Sequence, residues 1–184
     1  MNDVIFEMAE KMDKSVDTFR AELSKVRTGR ASLGLLDGIT VSAYGSQMPL
    51  SQVGSLTIPE SRMIAIQPWD PQMLPAIEKA ILKSDVGLTP ASDGKIIRLN
   101  IPQLTEERRR DLVKHVKKVA EEYRVAVRNI RRDAIDILKK QKKDKEISED
   151  DLFKLQDEAQ RETDLYMKKI DEITAAKEKE VMEV

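Results

Sequence analysis

The sequence predicts an α+β protein, an elongated three-helix bundle with a small β/α/β domain inserted between its first and second helices. Three observations carry this. Apolar residues recur every three or four positions over residues 1–30, 105–145 and 146–184, whereas over 31–104 the periodicity falls towards two. All seven prolines and six of the seven glycines lie in that middle segment. Charged residues make up 35% of the 184-residue chain and aromatic residues only 4%, a balance suited to long solvated helices rather than an aromatic-rich sandwich.

The first helix is read from Ile5, Met8, Met12, Val16, Phe19, Leu23 and Val26, with Asn2 or Asp3 as its cap. The second carries Leu112, Val116, Val119, Tyr123, Val127, Ile130, Ala134 and Ile137, opened by Thr105 with Glu106 and Glu107 at the positive helix end. The third follows the start signal Ser148-Glu149-Asp150-Asp151 and carries Leu152, Leu155, Ala159, Tyr166, Ile170 and Ile173. Three helices with one apolar stripe each satisfy one another in a bundle. The predicted bundle therefore comprises residues 1–30 and 105–184.

Within 31–104, strands are expected at Ile39 to Ala43 before a Gly45-Ser46 turn, at Leu56 to Ile58, at Met63 to Ile66 and at Ile96 to Ile101. A helix fits Pro71 to Ser84, where Leu74, Ile77 and Ile81 share a face and Pro75 is tolerable only in the first turn. An insertion has two chain crossings, and these fall near residues 30–32 and 102–105. Two crossings held side by side form a natural hinge.

Net charge is −1, but it is unevenly distributed: residues 105–145 carry +7 and residues 146–184 carry −7. The absence of cysteine excludes disulfides and thiol chemistry and suits a reducing cytoplasm. The acidic N-terminal residues lack the pattern of an export signal, and no apolar run is long enough to span a bilayer, so neither secretion nor a membrane partner is expected. Phosphate-loop, dinucleotide, zinc-protease and nucleophile-elbow motifs are all missing. The single histidine, His115, sits at the flank of an apolar stripe with no convergent partners, so no enzyme, metal or cofactor is expected. The pairs Asp133 with Asp136 and Asp150 with Asp151 read as solvated salt-bridge faces.

Counting about 100° per residue from Arg110, the side chains of Lys114, Lys117, Arg124, Arg128, Arg131 and Arg132 all fall within about 60° of it, opposite the apolar stripe. An ordinary solvated helix explains such a run, as does pairing with the acidic third helix. Arginine in the distal half favours phosphate recognition instead, because its planar fork fits phosphate oxygens. Arg27 and Arg30 add charge at the end of the first helix. With few aromatics to stack on bases, the expected target is double-helical RNA read through backbone and shape, not DNA. A helical adaptor binding protein partners through its basic and acidic faces is the alternative.

The runs Leu23-Ser24-Lys25-Val26-Arg27-Thr28-Gly29-Arg30-Ala31, Leu35-Leu36-Asp37-Gly38-Ile39, Leu104-Thr105-Glu106-Glu107-Arg108-Arg109, Arg124 to Ala134 and Asp144 to Asp150 together resemble the bacterial ribosome recycling factor family, over essentially the whole chain. The resemblance implies two domains in an L, joined by a hinge through Arg30, Ala31, Ser32, Leu104 and Thr105. It implies a non-enzymatic factor that acts on post-termination ribosomes and, with elongation factor G and GTP, splits the subunits. The implied partners are large-subunit ribosomal RNA and elongation factor G, and the implied state is a cytoplasmic monomer. Arg132 matches the arginine most closely tied to ribosome binding, and Arg27, Arg30, Arg128 and Arg131 hold the same motif positions. Arg110, Lys117 and Arg124 rest on the stripe. Ser32-Leu33-Gly34 stands where the family often has proline, and Thr89 where asparagine is common.

Overall fold

The computed structural model describes residues 2–183. The chain separates into two compact units, one formed by the residues up to Leu23 with Val113–Lys179, the other by Ser24–Leu112 with the residues from Glu180 onward.

The first unit is helical. Helix α1 spans Asp3–Ser24 and buries Ile5, Met8, Met12, Val16, Phe19 and Leu23, the expected stripe. Asn2 is its cap, accepting the Val4 amide proton on Oδ1 at 2.8 Å. The last two helices are one α-helix each, α4 at Glu106–Lys143 and α5 at Glu149–Met182. Thr105 caps α4 by accepting from the Arg108 amide at 3.1 Å. Ser148 and Asp151 form a reciprocal box at the start of α5, each accepting the other's amide proton at 3.0 Å. Between these helices Lys145 takes a left-handed turn at φ 61°, and the Glu146 amide closes onto the Gln141 carbonyl at 2.9 Å.

The buried stripe departs from expectation at two places. Towards the end of α4 it runs through Leu138, fully buried, whereas Ile137 is 45% exposed. The buried positions drift round the helix, so a fixed 100° step loses the seam after seven turns. On α5 the closest packing is made by Ala159, Thr163, Ile170 and Thr174, while Leu152, Leu155, Tyr166 and Ile173 are half-buried. The Thr163 and Thr174 hydroxyls donate to the carbonyls one turn back at 2.7 Å, which makes their burial affordable without a partner helix.

The second unit has a four-stranded antiparallel sheet in the order β3-β4-β6-β5 and a separate β1-β2 hairpin. The strands are β1 Thr40–Ala43, β2 Ser46–Pro49, β3 Gly54–Glu60, β4 Met63–Pro68, β5 Pro90–Ser92 and β6 Ile97–Asn100. A single turn, α2 (Leu50–Val53), links β2 to β3, and α3 (Leu74–Lys83) follows β4. Ile64 faces Leu99 and Ile66 faces Ile97 across β4 and β6, and all four are fully buried. Leu74, Ile77 and Ile81 of α3 join the same core, and Pro75 lies in that helix's first turn.

Two strands carry no pattern in the sequence. Strand β2 (SQMP) is set by its antiparallel pairing with β1, and β5 (PAS) is an edge strand, where proline removes no needed ladder donor. The hairpin turn falls one residue earlier than expected. Tyr44 and Gly45, at φ 51° and 80°, occupy its centre, the two left-handed residues that a tight twisted hairpin requires.

Candidate nucleic-acid interface

The cationic residues of α4 in the helical unit divide by what they touch. Arg124, with only 25% of its side chain exposed, reaches Asp171 of α5 through Nε at 3.0 Å and Nη2 at 2.8 Å, and Glu121 through Nη1 at 3.3 Å. Burial pulls its pKa down, but the hydrogen bonds to Asp171 and Glu121 outweigh burial and the net shift is upward. Arg128 donates to the other oxygen of Glu121 at 3.0 Å. Glu121 is thus clamped by two guanidinium groups, the Arg128 hydrogen bond first and Arg124 second, which hold its carboxyl below the usual range.

Arg131 donates to the Gln160 side-chain carbonyl at 2.9 Å, a neutral partner that orients the guanidinium without cancelling its charge. Arg132, Lys114 and Lys117 are exposed and have no side-chain partner among the described residues. Lys139 continues the same face about two turns beyond Arg132 and is also exposed. Extending the 100° count past Arg132 finds it. His115 is exposed on α4, and among the described residues no group of three or more acidic, histidine or cysteine side chains could hold a metal ion.

The remaining candidates belong to the α/β unit. Arg110 is exposed and pairs with Glu106 one turn back at 2.5 Å. Arg27 is half-buried, its Nη1 lying 3.8 Å from where a Cβ on Gly87 would stand, and its Nε is buried without a hydrogen-bond acceptor. Arg30 pairs with Glu183 at 2.7 Å. The structure therefore groups Arg27, Arg30 and Arg110 in one unit, and Lys117, Arg124, Arg128, Arg131 and Arg132 in the other.

Five residues expected at the two crossings also lie in the α/β unit. The Ala31 amide donates to the Ser61 carbonyl at 2.7 Å, and the Ile101 amide to the Arg62 carbonyl at 2.8 Å. Adjacent residues of a single turn, between β3 and β4, thereby fasten both crossing segments. Ser32 caps the short helix Leu33–Leu36 by accepting from Gly34, Leu104 is half-buried, and Thr105 caps α4. Just before the first crossing, buried Thr28 donates its hydroxyl to Glu180 Oε1 at 3.1 Å.

The chain thus consists of a helical unit that exposes an arginine face and a small α/β unit. The family model described as "Ribosome recycling factor" matches residues 19–182. Over all 184 residues, covering both chains completely, the sequence is 73% identical to a ribosome-recycling factor of Desulfotalea psychrophila. It is 56% identical over 181 residues, 98% of each chain, to that of Geobacillus thermodenitrificans. A solution structure of a ribosome recycling factor matches with TM-score 0.79 at 41% identity, over the whole of both chains. So does a model of the T. thermophilus factor with E. coli elongation factor G on the E. coli post-termination complex, with TM-score 0.69 at 44% identity, over 98% of this chain and 97% of that one. The chain belongs to the ribosome recycling factor family, whose members are translation factors.

Proposed function

We propose that this protein binds post-termination ribosomes in the cytoplasm as a monomer and, with elongation factor G and GTP, separates the subunits for reuse. GTP is hydrolysed by the partner, and this chain is a non-enzymatic lever. The observation that carries the reading is the α4 face on which Arg132 is exposed without an internal partner while Arg128 and Arg131 stand beside it, oriented by Glu121 and Gln160. Guanidinium groups held this way are ready to take phosphates of large-subunit ribosomal RNA at small entropic cost. Lys117 and Arg110 extend the contact along α4, and Arg27 and Arg30 add to it near the crossings. The two crossings, through Arg30 to Ser32 and Leu104 to Thr105, act as the hinge that lets one domain swing when the GTPase pushes. Membrane and DNA have no part in the cycle.

Light scattering of post-termination ribosomes mixed with this protein, a cognate elongation factor G and GTP tests the reading. The wild type should split the subunits, and folded Arg132→Ala should do so at least ten-fold more slowly at equal concentration. Equal splitting by both removes Arg132 from the binding face. No splitting by the wild type removes the recycling role and moves the adaptor reading forward.

A further inference from the structure

A recess in the α/β unit is lined by Arg30, Arg62, Arg109, Ser61, Gln103 and Glu183. Three arginines and a single acidic residue thus line it, an excess of two positive charges. Each arginine is held differently. Arg30 binds Glu183 at 2.7 Å, so one corner of the recess already receives an oxyanion, which the chain itself supplies. With the Gln103 amide turned so that its oxygen faces the guanidinium, as hydrogen bonding requires, Arg62 donates to it from Nη1 and Nη2 at 2.9 and 2.7 Å, a neutral partner that leaves the charge intact. Arg109, half-buried in the first turn of α4, has no side-chain partner among the described residues. Glu106, in the same turn, is taken by Arg110. A guanidinium drawn partly out of water without a counter-charge is costly, and the groups best matched to several such forks are phosphates.

We propose that this recess binds a phosphate group between Arg30, Arg62 and Arg109, with the Ser61 hydroxyl as a further donor, and that Glu183 is the anion it displaces. The phosphate is either a free one, inorganic or on a small molecule, or a backbone phosphate of RNA. The site does not depend on the recycling role and is tested without ribosomes.

Pyrophosphate titrated into the full chain by isothermal calorimetry at low salt should bind at one site. Arg109→Ala and Arg62→Ala should each weaken it at least ten-fold, and Lys79→Ala, on exposed α3 surface, should leave it unchanged. Glu183→Gln should tighten it several-fold, and a folding defect cannot produce that gain. Wild-type affinity in Arg109→Ala and Arg62→Ala overturns the site, and wild-type affinity in Glu183→Gln overturns the displacement. A labelled RNA hairpin identifies the source. Competition by pyrophosphate that disappears in Arg109→Ala assigns the recess to backbone phosphates, whereas RNA binding indifferent to both assigns it to a free phosphate.

Discussion

The Tyr123 hydroxyl of α4 donates to the Glu22 carboxylate of α1 at 2.7 Å, and its ring lies 5.1 Å from that of Phe19. One side chain thus joins two helices through both a polar and an apolar contact. The hydrogen bond to Glu22, with burial second, pushes the phenol up to about 12. Tyr123→Phe keeps the ring and loses the bond, so it should cost about 1 kcal/mol in urea unfolding, whereas Tyr123→Ala should cost about 3 kcal/mol. Because the folded pKa is raised, this contribution is complete below the ordinary tyrosine value of 10.0 and is lost as pH rises through about 12. Tyr123→Phe should lack that part of the alkaline decline.

Arg124 and Arg132 stand on the same face of α4 but should separate in their effects. Arg124 is committed to Asp171 and Glu121, so Arg124→Ala should lower stability by about 1 kcal/mol. Arg132 is exposed and unpartnered, so Arg132→Ala should change stability by less than about 0.5 kcal/mol. If Arg132 meets a phosphate, its loss should flatten the log–log salt dependence of RNA affinity by about 0.9. Denaturation curves and binding to a ribosomal RNA fragment across a salt series measure both quantities. A stable Arg124→Ala beside a destabilised Arg132→Ala would reverse the assignment.

Where burial follows from a repeating pattern, the sequence was legible. The α1 stripe and the Leu74, Ile77, Ile81 face of α3 were read from spacing alone, because each element buries one side against a core. Strands β2 and β5 were not, since Ser46–Pro49 and Pro90–Ser92 owe their conformation to the neighbours they pair with. The arginine face was legible as an angular stripe. Its division into committed Arg124 and available Arg132 was not, because it depends on which side chains of α5 come within reach, such as Asp171, 47 residues from Arg124 in sequence. Arg62 and Arg109 are illegible for a similar reason: an isolated arginine in a strand turn and one among three in a helix start carry no signal until the fold brings them to one recess.

Two glycines separate close approach from backbone conformation. A Cβ on Gly54 would stand 2.7 Å from the Gln67 carbonyl oxygen and 3.1 Å from Pro68 Cα, both main-chain atoms that cannot step aside without disturbing the β3–β4 pairing. Gly54→Ala should therefore cost about 2–3 kcal/mol. At Gly45 nothing lies within 4 Å of such a Cβ, but φ is +80°, so Gly45→Ala should cost only about 1 kcal/mol. Thermal melts of the two variants give the order directly, and equal shifts would mean that the strand pair yields more easily than its contacts imply.

Acid should find the protein's weak side through three carboxylates. Glu121 is held below its usual range by the hydrogen bonds of Arg128 and then Arg124. Asp93 is held well below by the Ile96 amide, the Arg98 guanidinium and the Lys95 amide, and Asp151 by the Ser148 amide and hydroxyl. A depressed folded-state pKa means that the unfolded chain takes up protons first as pH falls. The stabilisation is present above the ordinary values of 3.8 and 4.5 and drains away as pH drops through the lower folded-state values. The melting temperature should thus be nearly flat from neutrality to about pH 5 and fall steeply below about pH 4. Glu121→Gln retains an acceptor for Arg128 but no titrating group, so its melting temperature should decline less steeply over the acid range than that of the wild type. Parallel acid limbs in the two proteins would show that the Arg124–Glu121–Arg128 clamp contributes nothing to folding.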